Sequence, residues 1–470
     1  MYFQQFYLTC LSHASYMVGS EGVAAVIDPQ RDVGIYLEAA QEQGLTIAHI
    51  IETHLHRDFV SGHIELAALT GATIHVSAKA AAWFAHAPVH DCDEIAFGRC
   101  RLKFLETPGH SLDSISILVT DLDRSPEPFA VVTGDTLFIG DVGRPDLSAD
   151  YTPRQLASLL YHSLHEKLLT LPDSVEVYPA HGAGSLCGRQ LSSERLSTIG
   201  KERATNYALR AASEKEFVHL ITADQPERPQ YFAQDAEINR AGALPLKDLP
   251  PLAALRPGDV LALQEKGVMV LDTRPSNQYA AAHIPGALHI ALAGQFASWA
   301  GTLVGLDREV LLVTEDQDRV AEARVRLARV GMERVVGYLR DGMASWIRED
   351  MPVAQTPCIA VDELSRMLAR DPESLQVLDV RRRMEWDEGH IPGARLAPLD
   401  KLADAPEGLQ RDHPIAVHCK SGYRSAVAAS LLERAGFHHI YNVTGGLDAW
   451  KSSGLPVAQS EAAIAGDSHR

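Results

Sequence analysis

The stretch Glu52–His63, ETHLHRDFVSGH, decides how the first half of the chain reads. It nearly matches a loop that binds two metal ions, T-H-x-H-x-D-H, but Phe59 stands where the last histidine belongs. The apolar β-type run that leads into it, HIIETHLH, leaves His54 and His56 at a strand end. Three later positions repeat the arrangement: His110 in ETPGHS, Asp135 in VVTGDT and His181 in VYPAHG each follow a strand-like run. A lone histidine is ordinarily solvated or hydrogen-bonded within a core. Several strand-end ligands, far apart in sequence, instead fit a site on the rim of a β-sandwich.

The bulk numbers bound the rest. At 470 residues the chain exceeds one ordinary core, and two to four domains are expected. Apolar residues at 46% and charged residues at 22% give an ordinary globular balance. The formal net charge of -18 argues against nucleic acid, and any anion site must be built locally from amides and a few cations. The opening segment has no basic start and no unbroken apolar run, and no stretch elsewhere approaches the roughly 18 residues of a spanning helix. Neither a signal peptide nor a membrane anchor is expected. Six cysteines without a C-x-x-C pair predict free thiols in a reducing cytoplasm.

An internal repeat divides the second half. HIPGA occurs at His283–Ala287 and again at His390–Ala394, each after a short apolar run closing on Leu-Asp. Downstream, EVLLVTEDQDRVAEARVRLARVGMERVVGYLRDGMASW aligns on PIAVHCKSGYRSAVAASLLERAGFHHIYNVTGGLDAW. Two copies of about 105 residues follow, each alternating strands with amphipathic helices, which predicts small α/β domains with mostly parallel sheets. Pro-rich linkers near 244–252 and 351–357 then mark three domains: 1–245, 246–355 and 356–470.

The ordered set T-H-x-H-x-D, P-G-H, G-D and A-H-G resembles the glyoxalase-II-like branch of the metallo-β-lactamase superfamily, over essentially all of residues 1 to 245. GRPDL (Gly143–Leu147) and LYHSLHEKLLTLP (Leu160–Pro172) resemble the persulfide dioxygenases within that branch. The fold this implies is an αββα sandwich. The hydrolases of the branch hold two metals, and Phe59 cannot bind the second, so one ion is expected. The resemblance implies that His54, His110 and Asp135 hold it, with His56, Asp58 and His181 orienting ligands and water. Two histidines, one carboxylate and open positions suit Fe(II), one per chain, reacting with a persulfide and O2. A single Zn²⁺ hydrolysing thioesters is the competing expectation. Arg144, Asp146 and Tyr178 fall in motif positions, as pocket residues or as an internal ion pair. Cys187, six residues after His181, is either a buried inert thiol or a sulfur relay.

In the last copy an apolar strand leads to Cys419 and the loop Lys420, Ser421, Gly422, Tyr423, Arg424, Ser425, which opens a helix. Inward N–H groups and a helix N-terminus favour a thiolate there. This loop, with GHIPGA and GGLDAW, resembles the rhodanese sulfurtransferases, by which Cys419 carries a persulfide sulfur. Cysteine phosphatases place five residues between cysteine and arginine, whereas only Lys420 to Tyr423 intervene here. The first copy has Thr314 at the aligned position, amid Glu315, Asp316 and Asp318, and resembles a pseudo-rhodanese domain with a structural role.

Together these expectations describe a dioxygenase that oxidises low-molecular-weight thiol persulfides to sulfite, joined to a sulfurtransferase that makes or uses thiosulfate, in sulfide detoxification. A homo-oligomer without membrane or nucleic-acid partners is expected. Two alternatives stay open: a thioester hydrolase fused to a sulfurtransferase, and a non-oxidising sulfur carrier or sensor.

Overall fold

In the first 250 residues of the computed structural model, strands of period-two patterning pair into two six-stranded sheets. The structure describes residues 1–459 apart from 149, 190, 224, 226, 374 and 405–407. One sheet orders the strands Tyr2–Leu8, His13–Ser20, Val23–Ile27, Thr46–Ile51, Thr73–Ser77 and Ala87–Val89 in sequence. Its first three strands are antiparallel, and the crossovers after Ile27 and Ile51 make the rest parallel. The second sheet runs Ser197–Thr198, Glu176–Pro179, Ala130–Gly134, Ile115–Asp121, Cys100–Glu106, Glu94–Phe97.

Alternation along the strands builds the layers. Ala14, Tyr16 and Val18 face the opposing sheet, where Leu102, Phe104, Ile117 and Val132 meet them. Met17, Ala24 and Val26 turn outward onto the helices Gly34–Glu42 and His63–Thr70. Val131 and Val177 turn outward on the other side, onto Leu160 and Leu164. The result is the αββα sandwich expected from the sequence.

The compact unit that contains this sandwich also takes in Val325–Glu333. Within the unit, the Val60 N–H donates to the Arg329 carbonyl at 2.7 Å, and the Arg329 guanidinium reaches both oxygens of Asp32 at 2.7 Å. The sequence-based boundaries at 245 and 355 leave this segment with the pseudo-rhodanese copy. A single arginine and a helix-end carbonyl in an otherwise repeat-like stretch carry no signal of where they will pack.

The second unit joins Pro251–Arg324 to the chain from Arg334 onward. It contains two five-stranded sheets whose strand pairs are all parallel. Met269–Asp272, Val310–Val313 and Ile415–His418 are buried along their whole length, the mark of a parallel strand covered on both faces. The repeat is kept in detail: Leu-Asp-x-Arg places Asp272 against Arg274 and Asp379 against Arg381, each at 2.6 Å and buried. Residues 460–470, assigned by the sequence to the last domain, lie outside the described residues. All six cysteines are free, as expected, and among the described residues no helix is long and apolar enough to cross a membrane.

Candidate metal centre and sulfur-carrying loop

His54, His110 and Asp135 converge at the rim of the sandwich, each just beyond a strand, with ligand atoms within 4.8 Å of one another. Their neighbours fix which atoms face inward. The Thr53 hydroxyl donates to Asp28 Oδ2 at 2.8 Å, so its oxygen accepts from His54 Nδ1–H at 3.1 Å and leaves Nε2 with a lone pair. His110 Nδ1 lies 3.1 Å from the Arg144 carbonyl, which can only accept, so the Nε2 lone pair is again free. Those two nitrogens stand 3.9 and 3.3 Å from Asp135 Oδ2. Burial holds both rings neutral, lowering His54 to about 3 and His110 below its ordinary range. Three buried lone pairs therefore face each other without a proton, and Asp135 Oδ2 has no hydrogen-bond partner. Such an arrangement is unfavourable unless a cation sits among them. Two neutral imidazoles and one carboxylate are a donor set suited to a divalent metal ion.

The groups around this triad are not equivalent. His181 bridges Asp135 Oδ1 at 2.7 Å and Asp58 Oδ2 at 2.9 Å. Burial opposes its charge, but Asp135 and Asp58 outweigh burial and raise it well above the ordinary histidine range. Asp135 thus divides its work: Oδ1 holds an imidazolium and Oδ2 faces the ligand nitrogens. His56 leans away from the triad, 3.1 Å from Asp28 and 3.6 Å from Glu52. Burial opposes its charge too, yet Asp28 and Glu52 lift it to about 9. Phe59 is fully buried with its ring 4.4 Å from that of His56 and 4.1 Å from that of His13, so an apolar face fills the place a second-metal ligand would take.

Several of these partners escaped the sequence reading. Asp28, in the left-handed region at φ 52, closes the strand Val23–Ile27 and positions both Thr53 and His56. Its strand-end place in AAVIDP is the one sequence signal it gives. Asn239 accepts from the Ser61 N–H and donates to the carbonyls of His56 and Phe59 at 2.7–2.8 Å, fixing the backbone of the ligand loop from a helix nearly two hundred residues away. His13 is buried with neither ring nitrogen hydrogen-bonded.

The pocket candidates separate. Arg144 is buried and gives Nε and Nη2 to Asp146 at 2.7 and 2.9 Å and Nη1 to the Leu186 carbonyl at 3.0 Å. Its guanidinium is committed inside the protein, and its carbonyl orients His110. Tyr178 belongs to the inter-sheet core, 4.8 Å from the Phe3 ring, with its hydroxyl on Glu176. The pleat turns it into the sandwich, so it does not join the metal cluster. Cys187 lies beside it: Sγ groups with Asp58 and His181, ligand atoms within 4.8 Å of one another. Burial, with the charges of Asp58 and Asp135, pushes its thiol well above the ordinary range.

Gly143 shows how tightly the site is closed, because a Cβ there would lie 1.9 Å from the Asp135 carbonyl and 3.0 Å from His110 Cβ. Gly143→Ala must displace the backbone that carries a ligand. The expected outcome is a loss of at least about tenfold in metal affinity, read by competition with a chelator, on the scale of losses seen when groups supporting a metal ligand are removed.

In the last domain the loop after Ile415–His418 curls so that the Gly422 N–H points at Cys419 Sγ, 3.1 Å away. The Ser425 hydroxyl lies 3.7 Å from that sulfur and donates to Asn442 Oδ1 at 2.7 Å. Arg424 is held bidentately by Glu385 at 2.6 and 2.7 Å. Gly446 is required beneath the loop, since a Cβ there would come within 2.3 Å of the Cys419 carbonyl. In the first copy Thr314 turns its hydroxyl onto the Asp316 carbonyl at 2.8 Å, and no thiol stands at the strand end.

Fold and site thus define a metal-dependent sandwich enzyme joined to a cysteine-loop domain and a thiol-less copy of it. A metallo-beta-lactamase superfamily model matches residues 8–181, and a rhodanese-like domain model matches 257–349 and 360–453. The mitochondrial persulfide dioxygenase of Bos taurus is 31% identical over 212 residues, 44% of this chain and 74% of that protein. A hydroxyacylglutathione hydrolase of Brucella anthropi is 33% identical over 220 residues, 46% of this chain and 78% of that protein. A sulfurtransferase of Allochromatium vinosum is 32% identical over 100 residues, 21% of this chain and 92% of that protein. Among solved structures, a metallo-beta-lactamase from Staphylococcus aureus superposes with a TM-score of 0.65 at 34% identity, covering 72% of this chain and 98% of that one. The chain belongs to the metallo-β-lactamase superfamily, with persulfide dioxygenase homologues, and continues into two rhodanese-like domains.

Proposed function

We propose that the chain is an Fe(II)-dependent persulfide dioxygenase coupled to sulfur transfer through Cys419, acting in sulfide detoxification. The observation that carries the reading is the convergent set of His54 Nε2, His110 Nε2 and Asp135 Oδ2, beside a second-metal position filled by Phe59. The balanced reaction takes R-S-SH, O2 and water to R-SH, sulfite and two protons. Fe(II) held by those three residues supplies open coordination positions and the redox chemistry that joins a sulfane sulfur to O2. The protein's own groups do the rest. Asp28 through Thr53, and the Arg144 carbonyl, fix the ligand tautomers. His181 and Asp58 hold a charged hydrogen-bond pair beside Asp135. Cys187 lies beside that pair, but burial and the two carboxylates keep it a neutral thiol, which favours the inert reading over a sulfur relay.

In the last domain, sulfite attacks the outer sulfur of a Cys419 persulfide. Thiosulfate leaves, and the thiolate that remains is stabilised by the Gly422 N–H. Run the other way, the loop loads a thiol to make the persulfide substrate. Keeping both sites on one chain raises the effective concentration of each product at the other. The test is oxygen uptake by iron-loaded protein on addition of glutathione persulfide, with sulfite and thiosulfate assayed together. Uptake with either product formed supports the reading; unchanged oxygen over several persulfides, with iron bound, overturns it.

The hydrolase reading keeps one specific handle, the hydroxyacylglutathione hydrolase likeness, and Phe59 separates the two. Phe59→His returns an imidazole beside Asp58 and His181. Metal content is expected to rise from about one toward two per chain, with persulfide-dependent oxygen uptake falling about tenfold or more as the open site closes. Metal analysis of wild type and variant loaded side by side checks this.

A further inference from the structure

The thiol-less first copy is more than a spacer within the second unit. One face of the helix Tyr423–Arg434, the helix that the Cys419 loop opens, lies against the first copy's stretch 283–291. The Tyr423 hydroxyl donates to the Ala291 carbonyl at 3.0 Å. Seven residues on, Ser430 Oγ accepts from the His289 N–H at 3.0 Å, and four further on Arg434 donates to the Gly286 carbonyl. Glu433 Oε2 stands 2.9 Å from His283 Nε2. Positions 423, 430 and 434 share one helical face, and their partners come from the first copy's own HIPGALHIA, the stretch that repeats in the second copy as HIPGARLA.

That stretch is held rigid from behind. His283 and His289 stack on the two sides of Tyr279, at 3.8 and 4.4 Å, and His289 Nδ1 lies 3.1 Å from the Asp272 carbonyl. In the second copy the equivalent His390 stacks on Trp386 at 3.6 Å. The first copy thus keeps the framework of the repeat while its own loop, with Thr314, Glu315 and Asp316, offers neither thiol nor anion cradle.

Tyr423 connects this docking face to the sulfur. It follows directly on Gly422, whose φ of 109 aims its N–H at Cys419 Sγ. The ring hydroxyl of Tyr423 is the loop's tie to a rigid surface, and the other contacts set the direction of the whole helix. We propose that the first copy acts as a platform that positions the sulfur-carrying loop, with Tyr423 as the positioning residue. The inference rests on the reading of Cys419 as the sulfur carrier. It assigns the pseudo-rhodanese copy a part in the transfer step that its missing thiol otherwise denies it.

The test uses the full iron-loaded chain, with thiosulfate as sulfur donor and cyanide as acceptor. Tyr423→Phe removes only the hydroxyl. The expected result is a fall of about tenfold in kcat with KM within about twofold, slower alkylation of Cys419 by iodoacetamide, and a melting temperature close to wild type. Glu433→Gln, at the far end of the helix, is expected to lower kcat in the same direction by about threefold, which a purely local effect at the loop would not produce. It carries the test alone if Tyr423→Phe fails to fold. A kcat within twofold of wild type in the informative variant, or a change confined to KM, overturns the platform. Wild-type protein that gains no sulfane sulfur on Cys419 by mass spectrometry overturns instead the sulfur-carrier reading beneath it.

Discussion

Asp135→Ala is expected to yield protein that retains almost no iron and takes up no oxygen with persulfide. The two carboxylate oxygens have separate duties, and alanine removes both. Oδ2 is the only anionic donor of the triad, so its loss leaves two neutral imidazoles, which hold a divalent cation weakly. Oδ1 is one of the two carboxylate partners of His181, which is fully buried. Breaking a buried charge pair by deleting one partner costs about 3–5 kcal/mol, so stability is expected to fall measurably as well. Asp135→Asn separates the effects. Its carbonyl can still accept from His181, so stability should recover more than iron binding. Iron analysis and thermal unfolding of the two variants against wild type check this. Iron retained by Asp135→Ala would mean that the ion belongs to the neighbouring group of Asp58, His181 and Cys187 instead.

The convergence of His54, His110 and Asp135 was legible in the sequence because each follows an apolar run of strand type, and strand ends are where such a sandwich gathers its loops. The repeat was legible for a similar reason: HIPGA and Leu-Asp-x-Arg mark fixed points of a parallel sheet, and both copies place them alike. What stayed hidden depends on long-range packing. Asn239 reads as one polar residue on an unremarkable amphipathic helix, yet it satisfies three backbone groups of the ligand loop. Tyr178 reads as a motif neighbour of His181, yet the two-residue period of its strand turns it into the core. Arg144 and Asp146 carry opposite charges two residues apart. Nothing in that spacing decides between gripping each other and gripping an incoming anion, and the buried geometry joins them to each other. The tautomers of His54 and His110 are also beyond sequence, since they hang on Asp28 and on a backbone carbonyl.

Cys419→Ser is expected to remove sulfur transfer altogether while leaving oxygen uptake at the wild-type rate. Serine nearly preserves the shape of the side chain, and the Gly422 N–H can still donate to its oxygen, so folding should be little disturbed. What it cannot do is carry sulfane sulfur, because an alcohol at neutral pH is neither the nucleophile nor the leaving group that a thiolate is. With persulfide and O2 supplied, the variant should accumulate sulfite where wild type makes thiosulfate. Product analysis over one time course, with oxygen followed in the same vessel, measures both. Sulfite formed at an unchanged rate would place Cys419 downstream of the oxidation. A matching loss of oxygen uptake would place it upstream, loading the thiol that the metal site then oxidises. Thiosulfate persisting in Cys419→Ser would direct attention to Cys187, whose thiol sits among Asp58 and His181 at the metal centre, and the Cys187→Ser, Cys419→Ser double variant would then have to abolish it.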